Sequence, residues 1–406
     1  MTYLSATVLS LIGLRIGVNL LSCLLDLNYD KVNKYNMNSE GPEEYLCNTA
    51  QYQSKLSYTQ IITNLFYLLC LYIFLKYDLL FILSDTVSAL GLHLFWITIL
   101  YCTILILILR GVSLPLALLN FKLKKDYKLL ESSYSSFLTE YIKTSIYFCV
   151  VCGMILGGLS LLYNSNNSIF WYILITCSFL ISFLFSKISR LFSLISKQNE
   201  SLMGGKLRDE LINIATKEDV NITKIIMLNG IASTNLMNAY TCGSINKTVV
   251  FSKNIVDNLS HSEIKAIFLH EITHYKNNDL FKDIIFVILS NIICLSSFYF
   301  CINTILNPIL GDSYIFCVKM LLFVIMYSPI NLIQRVIYNY MSRQMEYNAD
   351  DYSAKICGTD TMISALNSIA ENNLSQYHSH PFSVWLYNSH PTYYSRIIKL
   401  QGIKNL

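Results

Sequence analysis

The strongest constraint on this 406-residue chain is a series of apolar runs, each long enough to cross a lipid bilayer. A hydrocarbon core of roughly 30 Å takes about 20 residues of helix. Seven such runs are read at about residues 3–25, 56–75, 87–109, 144–163, 169–190, 284–306 and 314–333. No water at that depth satisfies backbone N–H and C=O groups, so each run is confined to helix. The expected fold class is therefore an all-α polytopic membrane protein with seven transmembrane helices, and a composition that is 53% hydrophobic and 14% charged agrees. The first run lacks a basic leader and a small-residue cleavage site, and is expected to stay in the mature chain. A formal net charge of +4 gives no reason to expect nucleic acid as a partner; membrane lipid is the expected surrounding.

Loop charges set the orientation. Segment 26–55 carries Lys31, Lys34 and Lys55, and segment 110–143 carries Arg110, Lys122, Lys124, Lys125, Lys128 and Lys143. The alternate loops hold only Lys76, or nothing basic at all. Positive loops stay cytosolic, which puts the N-terminus on the lumenal side and the C-terminus in the cytosol. The chain then divides into four parts: 1–190 with five spans, a cytosolic segment 191–283, a hairpin of spans 284–333, and a cytosolic tail 334–406. Most of the 12 cysteines lie in apolar stretches, where they read as small buried residues rather than a disulfide framework.

The cytosolic segment has a different texture. "RDELINIATKEDVNITKIIMLNG" (208–230) reads as a helix followed by a strand, and "NKTVVFSKNIVDNL" (246–259) as a second strand running into a turn. In "SHSEIKAIFLHEITHYKNND", Ser260 with Glu263 three residues on is a capping box, and Ile264, Ile267 and Phe268 fall at helical spacing. That places "HEITH" on a helix, in a small α/β portion. His270 and His274 stand at i and i+4, so a helix brings both imidazoles to one side, and Glu271 between them is placed to act as a base. By itself the string is read in two ways: a zinc peptidase site, or a membrane-proximal helix that happens to hold two histidines.

Several separated stretches resemble the type 1 CAAX prenyl proteases, integral-membrane zinc metallopeptidases of the endoplasmic reticulum and inner nuclear membrane. "FLHEITH" is similar to the family's HExxH helix, and "SRQMEYNADDYSAKICG" (342–358) to its SRxxExxAD segment. The resemblance implies a zincin-like α/β catalytic portion that binds Zn2+ through His270, His274 and Glu346, with Glu271 as catalytic base and Asp350 orienting a histidine ligand. "NSHPTYYSRIIKL" (388–400) looks like the family's SHPxxxxR element, which implies that His390 steadies the tetrahedral intermediate and that Arg396 supports His390. "MNAYTCG" (237–243) resembles the NAY strand edge, where the backbone of Asn238, Ala239 and Tyr240 would pair with an extended peptide. "RGVSLPLALLNFKLKKDY" (110–127) looks like the family's LPxxxYNTFVIE loop, with LLNF where YNTF is common. Beyond HEITH the family continues with a further histidine, whereas this chain has Asn278 and Asp279; on this reading a contact behind the ligands is weakened, but no zinc ligand is lost.

The implied activity is removal of the last three residues from prenylated CAAX peptides or proteins, with an upstream cleavage in some members. Two alternatives stand beside it. One is a quality-control metallopeptidase of the bacterial membrane type, which shares HExxH and ExxAD; the other is a non-enzymatic transporter or scaffold. His93 within a span reads either as lining a chamber or as bonded to a neighbouring span, and the pair His378 and His380 as an exposed loop rather than a second metal site.

Overall fold

The computed structural model describes residues 2–33, 43–165, 168–180, 200–202, 204–228, 236–243, 247–311, 315–375 and 379–404. The N-terminal half is a bundle: α1 (Thr2–Asn33), α2 (Glu43–Lys76), a short apolar α3 (Leu79–Ser88), α4 (Leu94–Asp126), α5 (Tyr134–Ser165) and a short apolar α6 (Ser168–Leu180). The α/β portion follows as β1 (Glu200–Leu202), α7 (Gly205–Lys217), β2 (Ile222–Leu228), β3 (Ala239–Cys242), β4 (Lys247–Ser252), α8 (Lys253–Asn258) and α9 (His261–Lys276). The chain then returns to the bundle through α10 (Asp279–Phe300), a π-helical turn at Cys301–Leu306, α11 (Asn307–Leu310) and α12 (Phe316–Met326). It leaves again through α13 (Ser328–Cys357), α14 (Thr359–Asn372), α15 (Pro381–Tyr387) and α16 (Tyr393–Lys404).

Among the described residues, five helical stretches are long and apolar enough to span a membrane: Leu4–Tyr29, Asn48–Lys76, Leu94–Asp126, Tyr134–Ser165 and Asp279–Leu310. A sixth is broken. α12 and α13 meet at a 48° bend, where Pro329 has no N–H to offer the carbonyl of Ile325. The run expected at 169–190 is described only to Leu180, and its remainder lies outside the described residues. The loop expected over 110–127 is instead the last part of α4, a leucine-rich stretch that stays helical despite Pro115. His93 caps α4, its ring nitrogen accepting from the Phe95 N–H, and His380 does the same for Phe382 at α15. His378 lies outside the described residues.

α5 packs on α4 through small residues. A Cβ on Gly157 would come within 3.0 Å of the Phe95 ring, and one on Gly153 within 3.4 Å of Ile99. Small residues four apart let two helix backbones approach closely in lipid. Lys319, buried in the bundle, donates from Nζ to Asn307 Oδ1 at 2.9 Å.

The α/β portion is built on a four-stranded sheet in the order β1-β2-β4-β3. β2 and β4 pair in parallel, and β1 and β3 flank them antiparallel. The centre of β4, Val249–Phe251, is apolar without alternation because both its faces are covered: Val249 and Phe251 pack with Ile264, Phe268 and Ile272 of α9, and Val250 packs with Ile226 and Leu228. α9 carries the expected capping box, with Ser260 Oγ accepting from the Glu263 N–H and Glu263 Oε2 accepting from the Ser260 N–H. The apolar core around it draws Leu211 from α7, Leu366 from α14 and Leu400 from α16, so the C-terminal helices close over the same helix.

Candidate metal centre

One turn of α9 separates His270 from His274, and their Nε2 atoms come within 3.4 Å of each other. α13 lies alongside α9. It brings Glu346 Oε2 to 3.4 Å from His270 Nε2, and Glu346 Oε1 to 3.7 Å from His274 Nε2. Ligand atoms held about 2.0–2.1 Å from one tetrahedral zinc ion stand roughly 3.3 Å from one another. The three side chains therefore fit a single ion, with one face of its coordination sphere left for water or substrate. They form the His/Cys/Asp/Glu group with metal-binding spacing among the described residues.

Each imidazole is backed by a carboxylate. His270 Nδ1 lies 2.9 Å from Asp350 Oδ1, and His274 Nδ1 lies 2.9 Å from Asp279 Oδ2. Such partners fix the ring tautomer and turn Nε2 toward the shared centre. The second contact corrects the expectation that Asn278 and Asp279 weaken the site. Asn278 adopts a left-handed conformation (φ 54°), which reverses the chain so that the first residue of α10 returns beneath the last turn of α9. Lys282 then holds the other Asp279 oxygen at 2.7 Å.

Arg396 is also reassigned. Expected to support His390, its guanidinium instead grips Asp350 with two bonds, Nε to Oδ2 at 2.7 Å and Nη2 to Oδ1 at 2.5 Å. Nη2 also reaches to 3.8 Å from Glu346. All three groups are buried, so the arginine offsets a negative charge that would otherwise be costly.

The surroundings favour positive charge at His270. Burial disfavours a charged imidazole at His270, yet Asp350 and Glu346 override that and lift its pKa to about 10; a metal ion would meet the same preference. Glu271 is buried, and burial raises its carboxyl pKa against the pull of His270 and His274. A carboxylate tuned upward is suited to take a proton from water near neutral pH. Burial opposes the charge on Arg396, but Asp350 and Glu346 keep it firmly protonated.

His390 stands at the open side of this cluster, its side chain 66% exposed and Nδ1 3.1 Å from Glu346 Oε1. Sequence reading missed what holds it there. Arg343 Nη1 donates to the Val384 and Asn388 carbonyls at 2.9 and 2.7 Å, fixing the turn before His390. The signal was present, since Arg343 precedes Glu346 by three residues and so shares its helical face.

The strand edge is narrower than expected. The Asn238 C=O accepts from the Ser252 N–H at 2.8 Å, and the Asn238 N–H donates to Ser252 Oγ at 3.0 Å. Both backbone groups of Asn238 thus face β4, not a peptide. Because pairing alternates along a strand, Tyr240, opposite Val250, faces inward as well. Among the described residues, the outward edge of the sheet is offered by Ala239 and Thr241.

A membrane bundle carrying an HExxH helix, a carboxylate from a second helix and acids behind both histidines defines an integral-membrane metallopeptidase. Residues 202–404 match the family model described as Peptidase family M48, and residues 35–192 match the model described as CAAX prenyl protease N-terminal, five membrane helices. The chain belongs to peptidase family M48. It is similar to CAAX prenyl protease 1 of Saccharomyces cerevisiae, with 24% identity over 314 residues, covering 72% of this chain and 69% of that protein. It is also similar to Protease HtpX of Tolumonas auensis, with 29% identity over 163 residues, covering 36% of this chain and 53% of that one. The fold matches the crystal structure of S. mikatae Ste24p with a TM-score of 0.86 at 20% identity, over 98% of both chains.

Proposed function

We propose that this protein is a zinc metalloendopeptidase of the endoplasmic reticulum membrane that removes the last three residues from prenylated CAAX proteins. The observation that carries this is the pairing of a metallopeptidase centre at His270, His274 and Glu346 with a membrane portion that matches the CAAX prenyl protease N-terminal model. Two imidazoles, one carboxylate and an open position form the donor set of catalytic zinc. Bound there, zinc would polarise the scissile carbonyl and supply a nucleophile from water at neutral pH. Glu271 takes the proton from the attacking water and returns it to the departing amine. His390, exposed at the rim, donates a hydrogen bond to the oxyanion. Asp350, held by Arg396, and Asp279, held by Lys282, keep the two imidazoles in the required tautomer. Ala239 and Thr241 offer main-chain pairing, which binds an extended peptide with little regard for its sequence.

The same reading has the chain crossing the membrane seven times, with the N-terminus lumenal, the C-terminus cytosolic, and the catalytic pieces 191–283 and 334–406 meeting on the cytosolic side of the 284–333 hairpin. The test compares purified protein acting on a prenylated CAAX peptide, its non-prenylated twin and an unfolded membrane protein. Release of a tripeptide from the prenylated peptide, lost in Glu271→Gln, is expected. Cleavage of the unfolded protein alone would assign the chain to quality control instead. His390→Ala should lower turnover roughly a hundred- to thousandfold while leaving bound metal unchanged.

A further inference from the structure

Beside the metal centre lies a cavity of about 580 Å³ whose walls include His390, Leu236, Asn373, Leu130 and Lys124. That is within the range of roughly 300–1,000 Å³ that encloses a small ligand. Among the described residues no acidic side chain lines it; its basic side chains are Lys124 and His390. Lys124, in the last turn of α4, forms no ion pair with a carboxylate among the described residues.

Where this cavity meets the sheet edge, the edge is closed. Asn373 Oδ1 accepts from the Met237 N–H and its Nδ2 donates to the Met237 C=O, both at 2.8 Å. The side-chain amide thus occupies the place of a neighbouring strand at Met237, and pairing resumes only at Ala239. A peptide laid antiparallel on β3 runs from Thr241 toward Ala239 and is stopped at Asn373, so its carboxyl end turns into the cavity. Parallel pairing would deliver an amino end to a space with basic and no acidic groups.

We propose that this cavity holds the three residues that leave, and that Lys124 binds their terminal carboxylate and so measures the distance from chain end to scissile bond. This rests on the proposed CAAX-directed cleavage and adds to it a specificity residue outside the metal centre. A lysine that pairs with one charge in a partly open cavity adds binding in the ground state, so it acts on KM more than on kcat.

The experiment uses the full-length purified protein and two prenylated peptides that differ only at the terminus, free acid against amide. For the unaltered protein, kcat/KM for the acid should exceed that for the amide roughly tenfold, as expected for a charge-assisted hydrogen bond, and the ratio should shrink as salt is raised. Lys124→Ala should bring the ratio to about one through KM, Lys124→Arg should restore it, and Lys124→Glu should push it below one. Equal cleavage of both peptides by the unaltered protein, or an acid preference that survives in Lys124→Ala, overturns the assignment of Lys124 and leaves the CAAX function standing. Failure to cleave either peptide overturns the function and this inference with it.

Discussion

Helices α5 and α9 sort their residues in opposite ways. α5 buries Ser145, Cys149, Gly153, Gly157 and Ser160, all small, and turns Ile142, Ile146, Tyr147, Val150 and Ile155 outward. α9 buries Ile264, Phe268 and Ile272 together with His270, Glu271 and Thr273. The solvent explains the contrast. In lipid no gain comes from moving apolar side chains inward, so helices associate where small residues allow close packing. In water the large apolar residues must go inside, and a charged group can follow only if other groups satisfy it. Around α9, Asp350, Arg396 and Asp279 do that for the histidines, so on the proposed mechanism the polar core serves the chemistry at Glu271 and is kept tolerable by its partners.

If that is right, the largest effect should come from the one buried group of α9 that serves reaction alone. Glu271→Gln is expected to cut turnover roughly a hundred- to ten-thousandfold, with metal content by elemental analysis unchanged and thermal stability not reduced. A Glu271→Gln protein that loses its metal would make the residue part of the scaffold. Next comes Arg396→Ala, which strands Asp350 and Glu346 without their cation. It should cost about 3–5 kcal/mol in stability, read by denaturant melting in detergent, and a smaller loss would mean that the acids are screened by water. Asp279→Asn keeps the shape and removes the charge behind His274. A tenfold to hundredfold loss in metal affinity is expected, measured by competition with a chelator.

Effects should be smaller in the membrane portion, and should run against size rather than with it. Gly157→Val has to push aside the Phe95 ring and should cost roughly 1–3 kcal/mol. Ile146→Ala, by contrast, removes a large side chain that is 58% exposed and should shift stability by less than about 0.5 kcal/mol. If Ile146→Ala proved the more damaging of the two, the outward face of α5 would be a packing surface and the comparison with α9 would fail.

Much of this was legible beforehand, for identifiable reasons. The apolar runs were readable because a bilayer has a fixed thickness. The capping box at Ser260 and the histidines one turn apart were readable because helical spacing is set by the backbone alone; Glu346 and Asp350 stood out only through the family resemblance, and spacing added that they share a helical face. The bend at Tyr327 was signalled by Pro329 but passed over in favour of an unbroken run. The continuous helix through 110–126 was hidden behind Pro115.

What the sequence determined by itself is thus whatever depends on residues within a turn or two of one another: the apolar character of the membrane helices, though not their number or their ends, α9 and its cap, and which side chains share a face. What only the tertiary structure decided is which faces meet. Glu346 is 72 residues beyond His274 and comes within 3.7 Å of it only because α13 lies along α9. Arg396 holds Asp350 rather than His390 because α16 packs against α13. Asp279 stands behind His274 because one left-handed residue at Asn278 turns the chain. Asn373 closes the strand edge from 136 positions away. Contacts of that range are fixed by packing of the whole chain, and no local pattern carries them.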